Sequence, residues 1–215
     1  NWQLPEQYAL IHHLQPACLI GNNHHQTPNE GEDIQLFERD VPGENKAGMS
    51  GQSVSSLPLE TCETMNGMWG YKVADTHYKS AEELIRLLVR TAGKGANLLL
   101  NIGPQADGNL PATAVSRLKE IGAWMKLHGS TIYDTEAGGL GDGEKVVSTR
   151  RGKELYVHVL DTTLHDLQLE CAVPVKRITT FGSNTSVSFK QKIGKLQCAF
   201  PLTTEVDRIM LLHLK

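Results

Sequence analysis

Hydrophobic periodicity changes once along this chain, near Tyr133, and that change limits the folds open to it. Before it, short apolar runs of strand length alternate with segments of helical spacing. After it, apolar and polar residues alternate with period two. The expected fold class is therefore α/β followed by all-β, with residues 1–135 as one domain and 136–215 as a second.

In the first part, Pro5 suits a first helical position, Tyr8, Leu10, Ile11 and Leu14 supply an apolar face, and Pro16 stops the helix. The apolar run 17–20 then reads as a strand buried on both faces. Residues 21–58 are rich in Gly, Asn, Ser and acids and read as a long functional loop, with Ile34, Leu36, Phe37 and Val41 as apolar inserts that argue against disorder. A strand is expected over 59–64. Ser80 and Glu83 form a capping box ahead of Leu84, Ile85, Leu88 and Val89, and Gly93 and Gly95 end that helix. A strand over 97–102 and a helix over 111–128 follow, with Val115, Leu118, Ile121, Trp124 and Met125 on one side. Strands separated by helices pair in parallel. After a Gly-rich joint (EAGGLGDGE), alternating segments such as Leu155-Val157-Val159 and Leu196-Cys198-Phe200, with tight turns such as KIGK, predict an antiparallel sandwich with one wet face per sheet.

About three parallel strands in the first part fall well short of a closed (β/α)8 barrel, which takes roughly 250 residues. The expectation is either the back end of a longer barrel or a small open sheet whose edges need a partner.

Composition narrows the partners. The 215 residues carry 21 Lys+Arg against 24 Asp+Glu, for a net charge of −3, with 40% apolar residues, which supports a packed core. No basic cluster offers a footprint for phosphate backbones, so nucleic acid is not expected as a partner. No apolar run of about 18 residues is present, and the first residues lack a signal-peptide pattern, so no membrane partner is expected either. Cys18, Cys62, Cys171 and Cys198 form no CxxC and read as free thiols, with a Cys171–Cys198 bridge as the alternative in an oxidising compartment.

In parallel α/β architectures, chemistry collects beyond the carboxyl ends of the strands. One such segment, GNNHHQ, places His24 and His25 at a strand end. Neighbours on an extended chain point to opposite faces, so the two are not expected to share a metal, and no HExxH spacing is present. The following stretch carries Glu30, Glu32, Asp33, Glu38, Asp40 and Glu44, ordinarily a solvated acidic loop. Glu38 differs, because Leu36 and Phe37 draw it toward an apolar pocket where desolvation suits a general acid. In the next segment alternation puts Glu60 and Cys62 on one face and Thr61 and Glu63 on the other, so Glu60 and Glu63 are not a catalytic pair. Trp69, between Gly67 and Gly70, can stack on a sugar or pack in a core.

The blocks ETCETMNGMWGY, YKSAEELIRLLVRTAGKGANLLLNIGPQADGNLP and GAWMKLHGSTIYDT resemble the retaining α-L-fucosidases over about residues 1–135. The resemblance implies the C-terminal part of a (β/α)8-type barrel followed by a β-sandwich. It also implies hydrolysis of terminal fucose from glycoconjugates by double displacement. The family's nucleophilic Asp sits in a WxDG-like block that this chain lacks, so a missing N-terminal barrel portion becomes an expected partner, beside the fucosylated glycan substrate. By the same resemblance Glu38, in DIQLFER, is the expected acid/base, with Glu44 and Glu60 as competitors. Trp69 is expected against the fucose methyl side, and His24, His25 and Glu60 in substrate binding. No cofactor and no metal are implied, and the family suggests a periplasmic, secreted or lysosome-like compartment. Two other readings stand beside this one: a non-catalytic carbohydrate-binding fragment and a small open-sheet metal hydrolase.

Overall fold

The computed structural model describes residues 2–200 and 205–215. Its first helix, α1 (Leu4–Leu14), carries a Pro in its first turn as expected. Of its apolar face only Tyr8 is buried, while Leu10 and Leu14 are exposed. The run 17–20 does not form the buried strand its composition suggests: a single parallel bridge joins Gly21 to Ile34, and Leu19 is 67% exposed. Its backbone is held by Asp33 N–H to Ile20 O at 2.7 Å, by Ile20 N–H to Asp33 Oδ2 at 2.8 Å and, toward α1, by Cys18 N–H to Gln15 O at 2.9 Å. Ile20, at the end of the run, is nevertheless buried.

The first strand proper, β1 (Gln35–Glu38), instead lies inside the stretch that reads as loop. Phe37 is fully buried, and alternate residues face opposite sides. Two buried polar side chains order the loop that follows. Gln35 bonds the backbone of Ser53 and Ser55, and the Asp40 carboxylate accepts from the amides of Lys46 and Ala47.

β2 (Leu59–Thr64) and β3 (Ala96–Asn101) complete a three-stranded parallel sheet in the order β1-β2-β3, with Glu38 beside Cys62 and Cys62 beside Leu99. The sheet is an open arc. On one face Phe37, Leu59 and Ala96 cluster on the buried side. On the other lie Leu36, Glu38, Glu60, Cys62 and a half-exposed Leu99.

Between the last two strands runs α2 (Ala81–Gly93), capped by Ser80 and Glu83 as the sequence predicts. Its Leu84 packs with Met65 and Ala114, and its Ile85 and Val89 pack against Val147 and Leu160. α3 (Ala112–His128) is less covered than its apolar spacing suggests: Ala114 is buried, Ile121 and Trp124 are partly buried, and Leu118 and Leu127 are exposed. No helix among the described residues is long and apolar enough to cross a membrane.

The rest is antiparallel. β4 (Glu136–Ala137), β5 (Val146–Arg151), β6 (Glu154–Val159), β8 (Val175–Thr180), β9 (Ser186–Val187) and β12 (Arg208–Leu214) form one sheet in the order β4-β5-β6-β12-β8-β9. β7 (Asp166–Glu170), β10 (Phe189–Lys192) and β11 (Lys195–Ala199) form the second, in the order β10-β11-β7. Leu155, Val157, Leu196, Met210 and Leu212 fill the core. The expectation of one wet face per sheet holds for β7 and β11, which alternate strictly between exposed and buried. It fails for β6, buried on both faces from Leu155 to Val159, because α2 and α3 cover the outer side through Val147 and Leu160. The two halves are further joined where Thr149 Oγ1 donates to Thr131 O at 2.5 Å, beside a fully buried His158–Asp207 pair at 2.7 Å. All four cysteines are free; Cys171 and Cys198 are buried thiols that do not pair.

Candidate functional site

The segment GNNHH reaches the sheet edge through the Gly21 bridge, and its side chains then alternate between two carboxylates. Asn22 and His24 turn toward Glu32, and Asn23 and His25 turn toward Glu38. On the first side Glu32, buried, accepts from Tyr8 OH at 2.7 Å, from Asn29 Nδ2 and backbone N–H at 3.1 Å each, and faces His24 Nε2 at 3.0 Å. Asn22 Nδ2 donates to the same Tyr8 oxygen at 2.8 Å. Since His24 Nδ1 accepts from the Gln26 amide at 3.1 Å, its proton sits on Nε2 and points at Glu32. Burial pushes the Glu32 carboxyl up, but the donors from Tyr8, His24 and Asn29 outweigh it and hold the group below its ordinary range. Tyr8, by contrast, is pushed up by burial and by its bond to Glu32. Both His24 nitrogens are therefore engaged inside the protein, which leaves this ring no free edge for a ligand.

On the second side Glu38 ends β1 with its side chain on the open face. Asn23 Nδ2 donates to its Oε2 at 2.7 Å, and His25 Nε2 stands 3.6 Å from the same oxygen, too far for a hydrogen bond but within ion-pair range. The Glu38 carbonyl accepts from Ser50 Oγ at 3.2 Å. Beside it, burial and the neighbouring charges of Glu38 and Glu60 push the Cys62 thiol up. His25 and Arg39, on either side of this carboxylate, take left-handed backbone angles with φ of 58° and 61°. Non-glycine residues rarely adopt them, and such strain concentrates at functional positions.

Arg39 is what ties Glu38 to Trp69. Its left-handed turn sends the guanidinium over the Trp69 ring, 5.1 Å from the centroid, while Nη2 donates to Gly67 O at 3.1 Å. From below, Asn101 at the end of β3 donates to Trp69 O at 2.7 Å and to Thr64 Oγ1 at 3.0 Å. Gly103 closes the arrangement, because a Cβ there would stand 2.5 Å from Tyr71 N and 2.6 Å from Gly70 C. The two sequence blocks NGMWGY and NIGP are therefore in backbone contact.

The six carboxylates of the loop do not behave as one solvated patch. Glu30 is exposed. Glu32 and Asp40 are buried staples, Asp33 caps Ile20, and Glu44 pairs with Arg90 of α2. That pairing turns Glu44 toward α2. Glu60 shares the face of Glu38 but stands opposite Leu36, one step back from the strand end. Glu63 lies on the other face, 3.5 Å from Lys79. Nothing in the sequence pattern singles out Arg39 and Asn101, and Asn23 stands out only through its spacing. The alternation that separates the two histidines also separates the two asparagines, and was the available signal for Asn23. Among the described residues no group of three or more His, Cys, Asp or Glu side chains converges on a point where a metal could sit. A cleft of about 640 Å3 lined by Tyr8, His12, Asn29 and Glu30 includes neither Glu38 nor Trp69.

Residues 1–130 match the family model described as alpha-L-fucosidase. Human plasma alpha-L-fucosidase is 40% identical over 79 residues, which is 35% of this chain and 17% of the relative. Among solved structures, alpha-L-fucosidase isoenzyme 1 from Paenibacillus thiaminolyticus superposes with a TM-score of 0.79 at 29% identity, over all of this chain and 54% of the other. The Thermotoga maritima alpha-fucosidase in complex with fucose gives 0.73 at 23% identity, over 97% of this chain and 48% of that one, and shows the fold alone. The chain thus spans about half the length of the solved chains it matches, and pairs the α/β portion of their fold with the β-sandwich.

Proposed function

The chain belongs to the α-L-fucosidase family of glycoside hydrolases, and from that premise we propose that it carries the acid/base side of a retaining fucosidase site. Residues 1–135 are the rear part of the catalytic barrel in this reading, and 136–215 the sandwich behind it. The observation that supports it is the placement of Glu38 beside His25 at the carboxyl edge of the parallel sheet, with the next residue, Arg39, over the Trp69 ring. That edge is where such architectures do their chemistry.

In the first step the protonated Glu38 gives its proton to the glycosidic oxygen as the bond to the anomeric carbon breaks, and a carboxylate from sequence preceding this chain attacks that carbon. In the second, Glu38 takes a proton from water, whose oxygen bonds to the anomeric carbon while the ester bond returns its electron pair to the nucleophile. Trp69 offers the ring face not covered by Arg39 to the methyl side of fucose. His25 remains a candidate for substrate contact, with Nδ1 buried and no partner among the described residues. His24 becomes the residue that shapes the loop, and Glu60 one that orients substrate from deeper on the open face. The family description, alpha-L-fucosidase, suggests the sugar. On its own the 215-residue chain is expected to be inactive, for want of a nucleophile.

The test is Glu38→Gln in the full-length protein. Loss of about 100-fold or more in kcat/KM on phenyl α-L-fucoside, with a much smaller loss on the 2,4-dinitrophenyl fucoside, is the expected result for a missing general acid. Unchanged phenyl turnover would remove Glu38 from the mechanism. The open face of the sheet, with Leu99 54% exposed, keeps the second reading in view: a carbohydrate-binding piece without turnover. Calorimetric binding of fucose by the isolated chain supports that reading, and absence of binding removes it.

A further inference from the structure

Glu38 meets its polar neighbours asymmetrically. Asn23 Nδ2 lies 2.7 Å from Oε2, and His25 Nε2 lies 3.6 Å from that same atom, while Oε1 takes no hydrogen bond among the described residues. An ionised carboxylate only accepts, so the Asn23 amide must present its N–H2 to Oε2. That bond favours protonation at one place. With the proton on Oε1, Oε2 is a carbonyl-like acceptor and keeps the amide at full strength; with the proton on Oε2, the amide meets a hydroxyl oxygen, a much weaker acceptor.

We propose that Asn23 is a positioning residue for the acid/base: by holding Glu38 Oε2 as an acceptor in both protonation states, it assigns the transferable proton to Oε1. This rests on the reading of Glu38 given above. Asn23 is itself held on both sides. The residue before it, Asn22, is bonded to Tyr8, and the residue after it, His24, faces the buried Glu32 at 3.0 Å. The Gly21 bridge to Ile34 fixes the start of the segment. Its amide is therefore delivered to Glu38 by structure that exists without substrate, as preorganised sites require. In the first step Oε1–H protonates the departing oxygen and becomes part of the carboxylate. In the second, Oε1 takes the proton from water, and the group need not rotate between the two.

The experiment compares Asn23→Ala and the similarly sized, apolar Asn23→Leu with Glu38→Gln in the full-length protein, on phenyl and 2,4-dinitrophenyl α-L-fucosides. Asn23 is exposed, so its variants are expected to fold. The expected result is a fall of about 10- to 30-fold in kcat/KM on the phenyl substrate and less than about threefold on the activated one, for both Asn23 variants. A loss equal on both substrates would mean a merely structural role, and no loss would mean none; either overturns the proposal. If Glu38→Gln shows the leaving-group split and the Asn23 variants do not, only the role of Asn23 fails. If Glu38→Gln leaves phenyl turnover intact, the acid/base reading fails and this inference falls with it.

Discussion

Arg39 lies over Trp69 at 5.1 Å because it leaves β1 in a left-handed conformation, directly after Glu38 has turned to the open face. The Glu38 carboxylate and the cation over the Trp69 ring thus come from two consecutive residues of one strand end. A cation–π contact of this kind contributes about 0.5–2 kcal/mol. Arg39→Gly removes the guanidinium while relieving the backbone at φ 61°, so thermal stability should hold. Steady-state kinetics of the full-length variant should then show KM for aryl fucosides raised about 3- to 10-fold, with kcat changed less. An unchanged KM would separate Trp69 from substrate binding.

Gly103 supports the same loop from β3. A methyl group there would press on the backbone of Gly70 and Tyr71, at 2.6 and 2.5 Å, neither of which is the free end of a flexible side chain. Gly103→Ala should displace the Trp69 turn and break the bond from Asn101 to Trp69 O. The expected outcome is a loss of about 1–3 kcal/mol in denaturant unfolding, together with weakened competitive inhibition by fucose. Unchanged inhibition would show the turn to be adaptable.

The fold was legible where periodicity carried it and obscure where an edge decided. The Ser80–Glu83 box, the strand 59–64 and the switch to antiparallel pairing were readable, because local chemistry and burial pattern agree there. The run 17–20 misled, because it makes a single bridge rather than a ladder and only Ile20, at its end, is buried, while Leu19 faces outward. QLFE is not legible as β1 because four residues between polar loops give too short a pattern to stand out. In the site, alternation foretold that His24 and His25 part ways, yet the partners they part toward, Glu32 and Glu38, follow from the folded loop. Arg39 was unreadable, since nothing in its residue type announces a left-handed turn.

Glu32 makes the loop sensitive to acid. Its carboxyl is held below its ordinary range, so the stabilisation is fully present above the unfolded value, near 4.3 for glutamate, and is lost as pH falls through the lower folded value. Tyr8→Phe deletes one donor to a buried carboxylate, a bond worth about 1.5–3 kcal/mol. The folded value should rise toward the ordinary one. Acid titration followed by amide exchange of residues 22–32 should show the variant's loop opening at higher pH than the parent's. Coincident curves would mean that His24 and Asn29 hold Glu32 unaided.

The hairpin joining β10 to β11 carries a strain that substitution can relieve. Lys192 and Lys195 pair across a two-residue turn in which Ile193 has φ 48° and Gly194 φ 76°. Such a turn demands positive φ at both positions and favours Asn-Gly. Ile193 is fully exposed, so its side chain contributes no burial, while a β-branched residue in the left-handed region costs about 1–2 kcal/mol. Ile193→Asn should therefore raise the urea midpoint by an amount equivalent to about 1 kcal/mol at unchanged slope. Ile193→Gly should give less, because glycine relieves the same strain but widens the unfolded ensemble. A gain from Gly equal to that from Asn would show that chain entropy contributes little at this turn. No gain from either would show that the hairpin relaxes without cost.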